Sequence, residues 1–104
     1  MFIAILCTCP DNNTAKELAT KLVAAKLAAC VNIIPGIESI YIWEEKLETN
    51  KEQLLIIKTT QAAYIKVEEL IKENHPYTCP EIIALPIESG SKEYLNWVTQ
   101  AVRT

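Results

Sequence analysis

The chain has 104 residues, half of them hydrophobic, so it can bury the core of one ordinary domain. Its formal net charge is −3, and Arg103 is the single arginine among ten basic residues. This composition lacks the arginine-rich basic stripe of nucleic-acid-binding proteins and the guanidinium forks of phosphate sites. No apolar run is long enough to span a membrane, so we expect neither a nucleic acid nor a membrane as partner.

The N-terminal segment predicts a buried strand and not a secretory signal. Phe2–Thr8 is a nearly continuous apolar run, without the basic residues and small-residue cleavage site of a signal peptide. We therefore expect a cytoplasmic protein whose four cysteines are thiols. No Cys-x-x-C pair is present, so neither a thioredoxin motif nor a zinc ribbon is indicated.

The first helix is predicted to start in the turn after Pro10 and to end near Ala28. Thr14 and Glu17 have the spacing of a capping box, and Asp11 is the alternative N-cap.

A long hairpin follows the first helix. Cys30–Ile34 reads as a strand that Pro35–Gly36 interrupts with a kink or bulge, and Ile37–Lys46 continues it. We expect the turn near Glu48–Asn50 and the returning strand over Glu52–Thr60. Strands of about ten residues span roughly 33 Å, whereas a domain of about 100 residues has a radius of gyration of about 13 Å. The hairpin is therefore expected to project.

The second half of the chain predicts a helix, a rigid loop, a strand and a last helix. The helix covers Gln61–Glu73, and two prolines stiffen the loop His75–Pro80. Glu81–Ile87 is the fourth strand. The last helix starts at Gly90–Ser91, and it carries Tyr94 and Trp97 on one face.

This order of elements predicts one α+β domain over residues 1–104, a ferredoxin-like β-α-β-β-α-β sandwich with an extra C-terminal helix. Helices would cover one face of its antiparallel sheet. Tyr41 and Trp43 alternate with Ile40 and Ile42, so both faces of the hairpin are apolar. A second subunit is expected to cover the other face, in preference to a monomer.

The sequence resembles the CutA family of divalent-cation tolerance proteins over essentially its whole length. The matching segments, in order, are Ala24–Gly36, Ser39–Glu44, Ile57–Thr59, His75–Tyr77, Pro80–Ile82 and Tyr94–Trp97. The resemblance implies a ferredoxin-like fold and a tight homotrimer in which long hairpins join neighbouring sheets. It also implies a role in tolerance to copper and other divalent metals. Glu45 departs from the family pattern, which commonly has glycine there, so the shape of the hairpin stays open.

The resemblance also implies a copper site at Cys7 and His75. Some relatives have two successive histidines, but Asn74 stands at the first position here. Cys79 lies four residues after His75 and is the candidate third ligand. Thiolate and imidazole together favour Cu(I). Cys9 shares a strand face with Cys7 unless it already lies in the turn. The alternative is a buried structural Cys7 and a loop histidine.

Four further residues are candidates for a ligand pocket. Lys58 is a lone charge after an apolar run, and Glu81 is its expected partner. Tyr41 and Trp43 could line an intersubunit pocket or simply pack at an interface.

The functional prediction is a metal-binding tolerance protein and not an enzyme. The chain has no Ser-His-Asp set, no His-Glu-x-x-His motif and no Walker loop. The alternative is a small-molecule sensing or signalling trimer like the PII proteins, which rests on fold analogy alone. A purely structural or anchoring trimer is the third interpretation.

Overall fold

The computed structural model describes residues 1–103. In chain order its elements are β1 (Phe2–Cys9), α1 (Asn12–Ala24), β2 (Cys30–Trp43), β3 (Lys46–Thr60), α2 (Tyr64–Asn74), β4 (Ile83–Ile87) and α3 (Lys92–Ala101). A single 3-10 turn, Gln61–Ala63, leads into α2. The strands form one antiparallel sheet in the order β2-β3-β1-β4, which confirms the predicted ferredoxin-like arrangement. None of the helices in this part of the chain is long and apolar enough to cross a membrane.

Alternate residues of the central strands build the core. The odd-numbered side chains of β1 and of the C-terminal part of β3, such as Ile5 and Ile57, are buried in one core with Leu18, Leu22 and Val67 of α1 and α2. The even-numbered side chains leave the opposite side of the sheet, here called the open face. The sheet thus has one face packed on its own helices and one face that α1 and α2 do not cover.

The first helix is capped by Asp11 and is shorter than predicted. The Asp11 carboxylate accepts a hydrogen bond of 2.8 Å from the backbone N–H of Thr14, and this bond lowers the pKa of Asp11. The helix ends at Ala24 and not near Ala28, because Lys26 adopts a left-handed φ of 59° and the Leu27 N–H bonds back to the Leu22 carbonyl. Helices that end in this conformation usually have glycine there, so the lysine at this position did not indicate the helix end.

The hairpin turns four residues earlier than predicted. Trp43 pairs with Lys46, so the turn is Glu44–Glu45 and the prediction of Glu48–Asn50 was wrong. Both turn residues have positive φ, 51° and 68°, as a two-residue hairpin turn requires. The polar residues taken for a turn lie on β3, where the Asn50 amide donates a hydrogen bond to the Tyr41 hydroxyl.

The predicted irregularity in β2 is confirmed. The register shifts between Ile34 and Ile37, and Gly36 has a φ of 71°. This bulge puts Ser39, Tyr41 and Trp43 on the open face together with Glu52, because Ile37 pairs with Glu52.

Apolar side chains outside the core are concentrated on the open face and the hairpin. Ile83 and Leu85 of β4 pair with Leu6 and Ala4, so they lie on the open face, where they are 49% and 48% exposed. The opposite side of the hairpin carries Ile40, Ile42 and Leu47, which are 70%, 71% and 74% exposed. The molecule measures 45 × 25 × 21 Å, as expected for a hairpin that projects from the sheet.

Candidate metal centre

Two thiols and one imidazole converge at the end of β1. The Cys7 Sγ atom, the Cys9 Sγ atom and a ring nitrogen of His75 all lie within 4.8 Å of one another. We call these three residues the thiol–imidazole cluster. Cys7 and Cys9 are two apart on β1, which extends to Cys9, so their side chains share the helix-facing side of the sheet. His75 directly follows α2, where an extended backbone ends the helix.

Hydrogen bonds hold both ring nitrogens of His75. The Tyr77 backbone N–H donates to Nδ1 at 3.1 Å, so Nδ1 is the unprotonated nitrogen of a neutral ring. Nε2 lies 2.7 Å from the carbonyl oxygen of Thr8 and is then the N–H donor to it. The Tyr77 ring packs against the imidazole with centroids 4.7 Å apart. The imidazole is therefore held in one orientation beside the two thiols.

The pair of thiols holds one negative charge more readily than two. The adjacent Cys7 side chain stabilises a thiolate at Cys9, which lowers the pKa of Cys9. The Cys9 side chain, together with burial, raises the pKa of Cys7. Cys9 is consequently the first of the two thiols to ionise, and a nearby cation would favour loss of the second proton.

Gln53 adds an unsatisfied acceptor beside the cluster. It is the register partner of Cys9, and directly opposed residues have Cβ atoms about 4.5–5.5 Å apart. Its Oε1 atom is buried and, within residues 1–103, has no hydrogen-bond partner. Two soft thiols, one imidazole and an orphaned acceptor suit a bound cation better than an apolar core. Sequence analysis missed Gln53 because only the β1–β3 register places it there.

The candidate ligand Cys79 and the neighbouring Asn74 lie outside the cluster. Cys79 is exposed and is not among the cluster residues, because the chain after His75 is extended and not helical. Asn74 accepts a hydrogen bond of 2.7 Å from Lys21 Nζ, and its own amide donates to the Leu70 carbonyl. Asn74 thus ties α2 to α1 on the outer surface.

A cavity of about 550 Å³ lies on the open face, between the hairpin and the loop before β4. Its lining comprises Thr8, Ser39, Ile40, Tyr41, Trp43, Glu52, Tyr77, Thr78, Cys79 and Glu81. Three of the four predicted pocket residues (Tyr41, Trp43 and Glu81) are therefore brought together. Glu52, which sequence analysis did not select, is buried in its wall and accepts a hydrogen bond of 2.5 Å from the Tyr77 hydroxyl.

Lys58 does not belong to this cavity, and its expected pairing with Glu81 was wrong. Lys58 pairs in register with Ala4 and Cys30, far along the sheet from Thr8 and the loop that carries Glu81. Its ammonium lies 5.7 Å from the centroid of the Tyr94 ring, at a smaller apolar cavity of about 160 Å³. A cation–π contact takes the place of the ion pair.

Comparisons with known proteins agree with this architecture. Residues 3–101 match the family model described as CutA1 divalent ion tolerance protein. The chain is 48% identical over 96 residues to the divalent-cation tolerance protein CutA of Thermus thermophilus, which covers 92% of this chain and 93% of the relative. A solved structure from that bacterium superposes with a TM-score of 0.97 at 46% identity, over 99% of this chain and 100% of that one.

A plant relative extends the comparison. The chloroplastic protein CutA 1 of Oryza sativa is 48% identical over 101 residues, which is 97% of this chain. The chain spans only 57% of the length of that relative. The agreement of family model, sequence identity and fold over almost every residue is sufficient for assignment. The chain belongs to the CutA1 family of divalent ion tolerance proteins.

Proposed function

We propose that this chain acts in divalent-cation tolerance as a non-catalytic homotrimer that binds copper at the thiol–imidazole cluster. The observation that carries the metal assignment is the convergence of Cys7, Cys9 and His75 within 4.8 Å. Thiolates and imidazole are ligands of soft and borderline metal ions, and Cu(I) is the softest of those that this set suits. Cys9 replaces Cys79 as the third ligand in this proposal.

Protonation governs the strength of this site. The lowered pKa of Cys9 makes one thiolate available early, while the raised pKa of Cys7 means that a second thiolate forms only against the cation. Metal binding therefore releases protons, and affinity falls as pH falls. The site requires reduced thiols, which supports a reducing compartment such as the cytoplasm.

The apolar open face supports self-association. Ile83, Leu85 and Trp43 are about half exposed there, and the hairpin is also apolar on its other side at Ile40 and Leu47. Exposed apolar side chains in this number are typical of an interface. A second copy of the chain is the proposed partner, since the resemblance implies a trimer in which long hairpins join neighbouring sheets.

A competition titration with a Cu(I) chelator under anaerobic conditions tests the metal site. Cys7→Ser, Cys9→Ser and His75→Ala should each lower the affinity at least about tenfold, or about 1.4 kcal/mol. Cys79→Ser is the matched control, because it removes a thiol outside the cluster. Thermal melts of the metal-free variants show whether the fold is kept. Equal affinity of the wild type and all folded variants would refute the copper assignment.

A further inference from the structure

Glu52 is a buried acidic side chain that forms no ion pair within residues 1–103. It is 6% exposed, yet the ion pair found among residues 1–103 is Lys72–Glu68 and does not involve it. Its side chain accepts one hydrogen bond, from the Tyr77 hydroxyl. A carboxylate withdrawn from water is costly unless a positive group or several donors compensate. One hydroxyl supplies only part of that compensation.

The cavity beside Glu52 has the surface of a cation site. Its charged lining residues are Glu52 and Glu81, and among the residues that the structure describes no lysine, arginine or histidine lines it. Trp43, Tyr41 and Tyr77 add aromatic rings, which attract cations through their faces. The hydroxyls of Thr8 and Ser39 are further acceptors for N–H groups. Acidic, aromatic and hydroxyl groups together select positive charge and exclude anions.

The size of the cavity argues for an organic cation and against a bare metal ion. Its volume of about 550 Å³ lies in the range of about 300–1,000 Å³ that is typical of small-molecule sites. Within residues 1–103 the only convergence of three metal-ligating side chains is the thiol–imidazole cluster, so the carboxylates here do not form a coordination shell.

We propose that this cavity stays open beside the proposed subunit interface and binds a small organic ammonium ion, with its positive nitrogen at Glu52 and its apolar body against Trp43 and Tyr41. Tyr77 positions the carboxylate through its hydroxyl. Glu81, which is exposed, adds a weaker attraction at the mouth of the cavity. The site is distinct from the proposed copper site, because it lies on the opposite face of the sheet and shares no residue with it.

A matched series of probes tests the charge requirement on the assembled protein. Benzylamine, benzyl alcohol and benzoate have one ring and differ in charge, and the indole N–H signals of Trp43 and Trp97 report binding in ¹⁵N NMR. Benzylamine should shift the Trp43 signal saturably, at least about tenfold tighter than benzyl alcohol, because the ammonium adds a charge-assisted bond. Benzoate should not bind, and Trp97 should stay unchanged.

Substitutions then locate the nitrogen. Glu52→Gln should reduce benzylamine affinity to that of the alcohol, and Glu81→Gln should cause a smaller loss at an exposed position where folding is not at risk. Glu88→Gln, outside the cavity, is the control. Cys7→Ser should leave benzylamine binding intact, so failure of the copper site and failure of this site are distinguishable.

Three outcomes would overturn the proposal. One is equal affinity for the amine and the alcohol, and another is unchanged affinity in both Glu52→Gln and Glu81→Gln. The third is no saturable binding together with a loss of assembly in Glu52→Gln, which would mean that a basic residue of a neighbouring copy pairs with this carboxylate.

Discussion

His75 and Thr8 are joined by a hydrogen bond of 2.7 Å between the ring Nε2 and the backbone carbonyl oxygen. Thr8 is the residue between Cys7 and Cys9, so this bond fixes the imidazole at the two thiols. The same ring accepts the Tyr77 N–H, and the Tyr77 hydroxyl bonds to Glu52 in the open-face cavity. Two candidate sites on opposite faces of the sheet are thus linked through one loop.

Metal binding at His75 should release the Tyr77 amide. A metal at Nδ1 would take the place of the Tyr77 N–H. A metal at Nε2 would leave the ring proton on Nδ1, so Nδ1 could no longer accept the hydrogen bond from Tyr77. Adding Cu(I) should therefore shift the Tyr77 amide signal in ¹⁵N NMR and speed its hydrogen exchange. The Thr14 amide, held by Asp11, is the internal control. An unmoved Tyr77 amide at saturation would exclude His75 as a ligand.

Tyr77 should ionise at higher pH than a tyrosine in a peptide. Burial, followed by the hydrogen bond to Glu52, raises the pKa of Tyr77 above its ordinary value of 10.0. A raised pKa contributes stability below the unfolded value, and that stability is lost as pH rises through the folded value. Denaturation of Tyr77→Phe from pH 8 upwards should thus show a weaker loss of stability above about pH 10 than the wild type.

Glu52→Gln provides the second half of that test. It removes the charge that opposes ionisation, so ¹³C NMR titration should place the Tyr77 pKa closer to the ordinary value. Identical titration in both proteins would show that burial alone accounts for the shift.

Trp43→Ala should weaken assembly more than Trp97→Ala. Both indoles are about half exposed, but Trp43 lies on the projecting hairpin, whereas Trp97 packs beside Tyr94 on α3. Truncating an aromatic anchor at an interface costs about 2 kcal/mol or more. Light scattering over a dilution series should give three times the chain mass of 11.7 kDa for the wild type and an earlier dissociation for Trp43→Ala. If Trp97→Ala dissociates before Trp43→Ala, the hairpin is not the main subunit interface.

Glu45→Gly should stabilise the hairpin turn. Glu45 has a φ of 68°, a region that costs a non-glycine residue about 1 kcal/mol or more and costs glycine little. We expect the free energy of unfolding to rise by about 1 kcal/mol in denaturant titration. Lys46→Gly, one residue later in β3, is the control and should lower it. A loss of stability in both variants would contradict the assigned strain.

The order and type of the elements followed from local patterns, and the details that failed depend on long-range pairing. A nearly continuous apolar run predicted β1, capping residues predicted the start of α1, and the helical face of Tyr94 and Trp97 predicted α3. Pro35–Gly36 marked the bulge. The hairpin turn at Glu44–Glu45 was not predicted, because these two glutamates adopt a conformation that glycine or asparagine usually adopts.

The site residues that depend on long-range pairing were likewise the ones that the sequence did not predict. Cys7 and His75 were selected through family resemblance, which contains information on distant contacts. Cys9 stayed undecided because its role depended on where β1 ends. Glu52 and Gln53 were missed because their positions follow from strand register, which no local pattern specifies.

The tight turn at Glu44–Glu45 has a consequence for the order of folding. It makes β2–β3 the most local of the three strand pairings, whereas β1 must close long loops to reach β3 and β4. Loop closure becomes costlier with length, so the hairpin is expected to form before the sheet is complete. Its apolar sides at Ile40 and Trp43 are then exposed in a chain that has not finished folding. Dilute, slow production of this protein should favour correct assembly over aggregation.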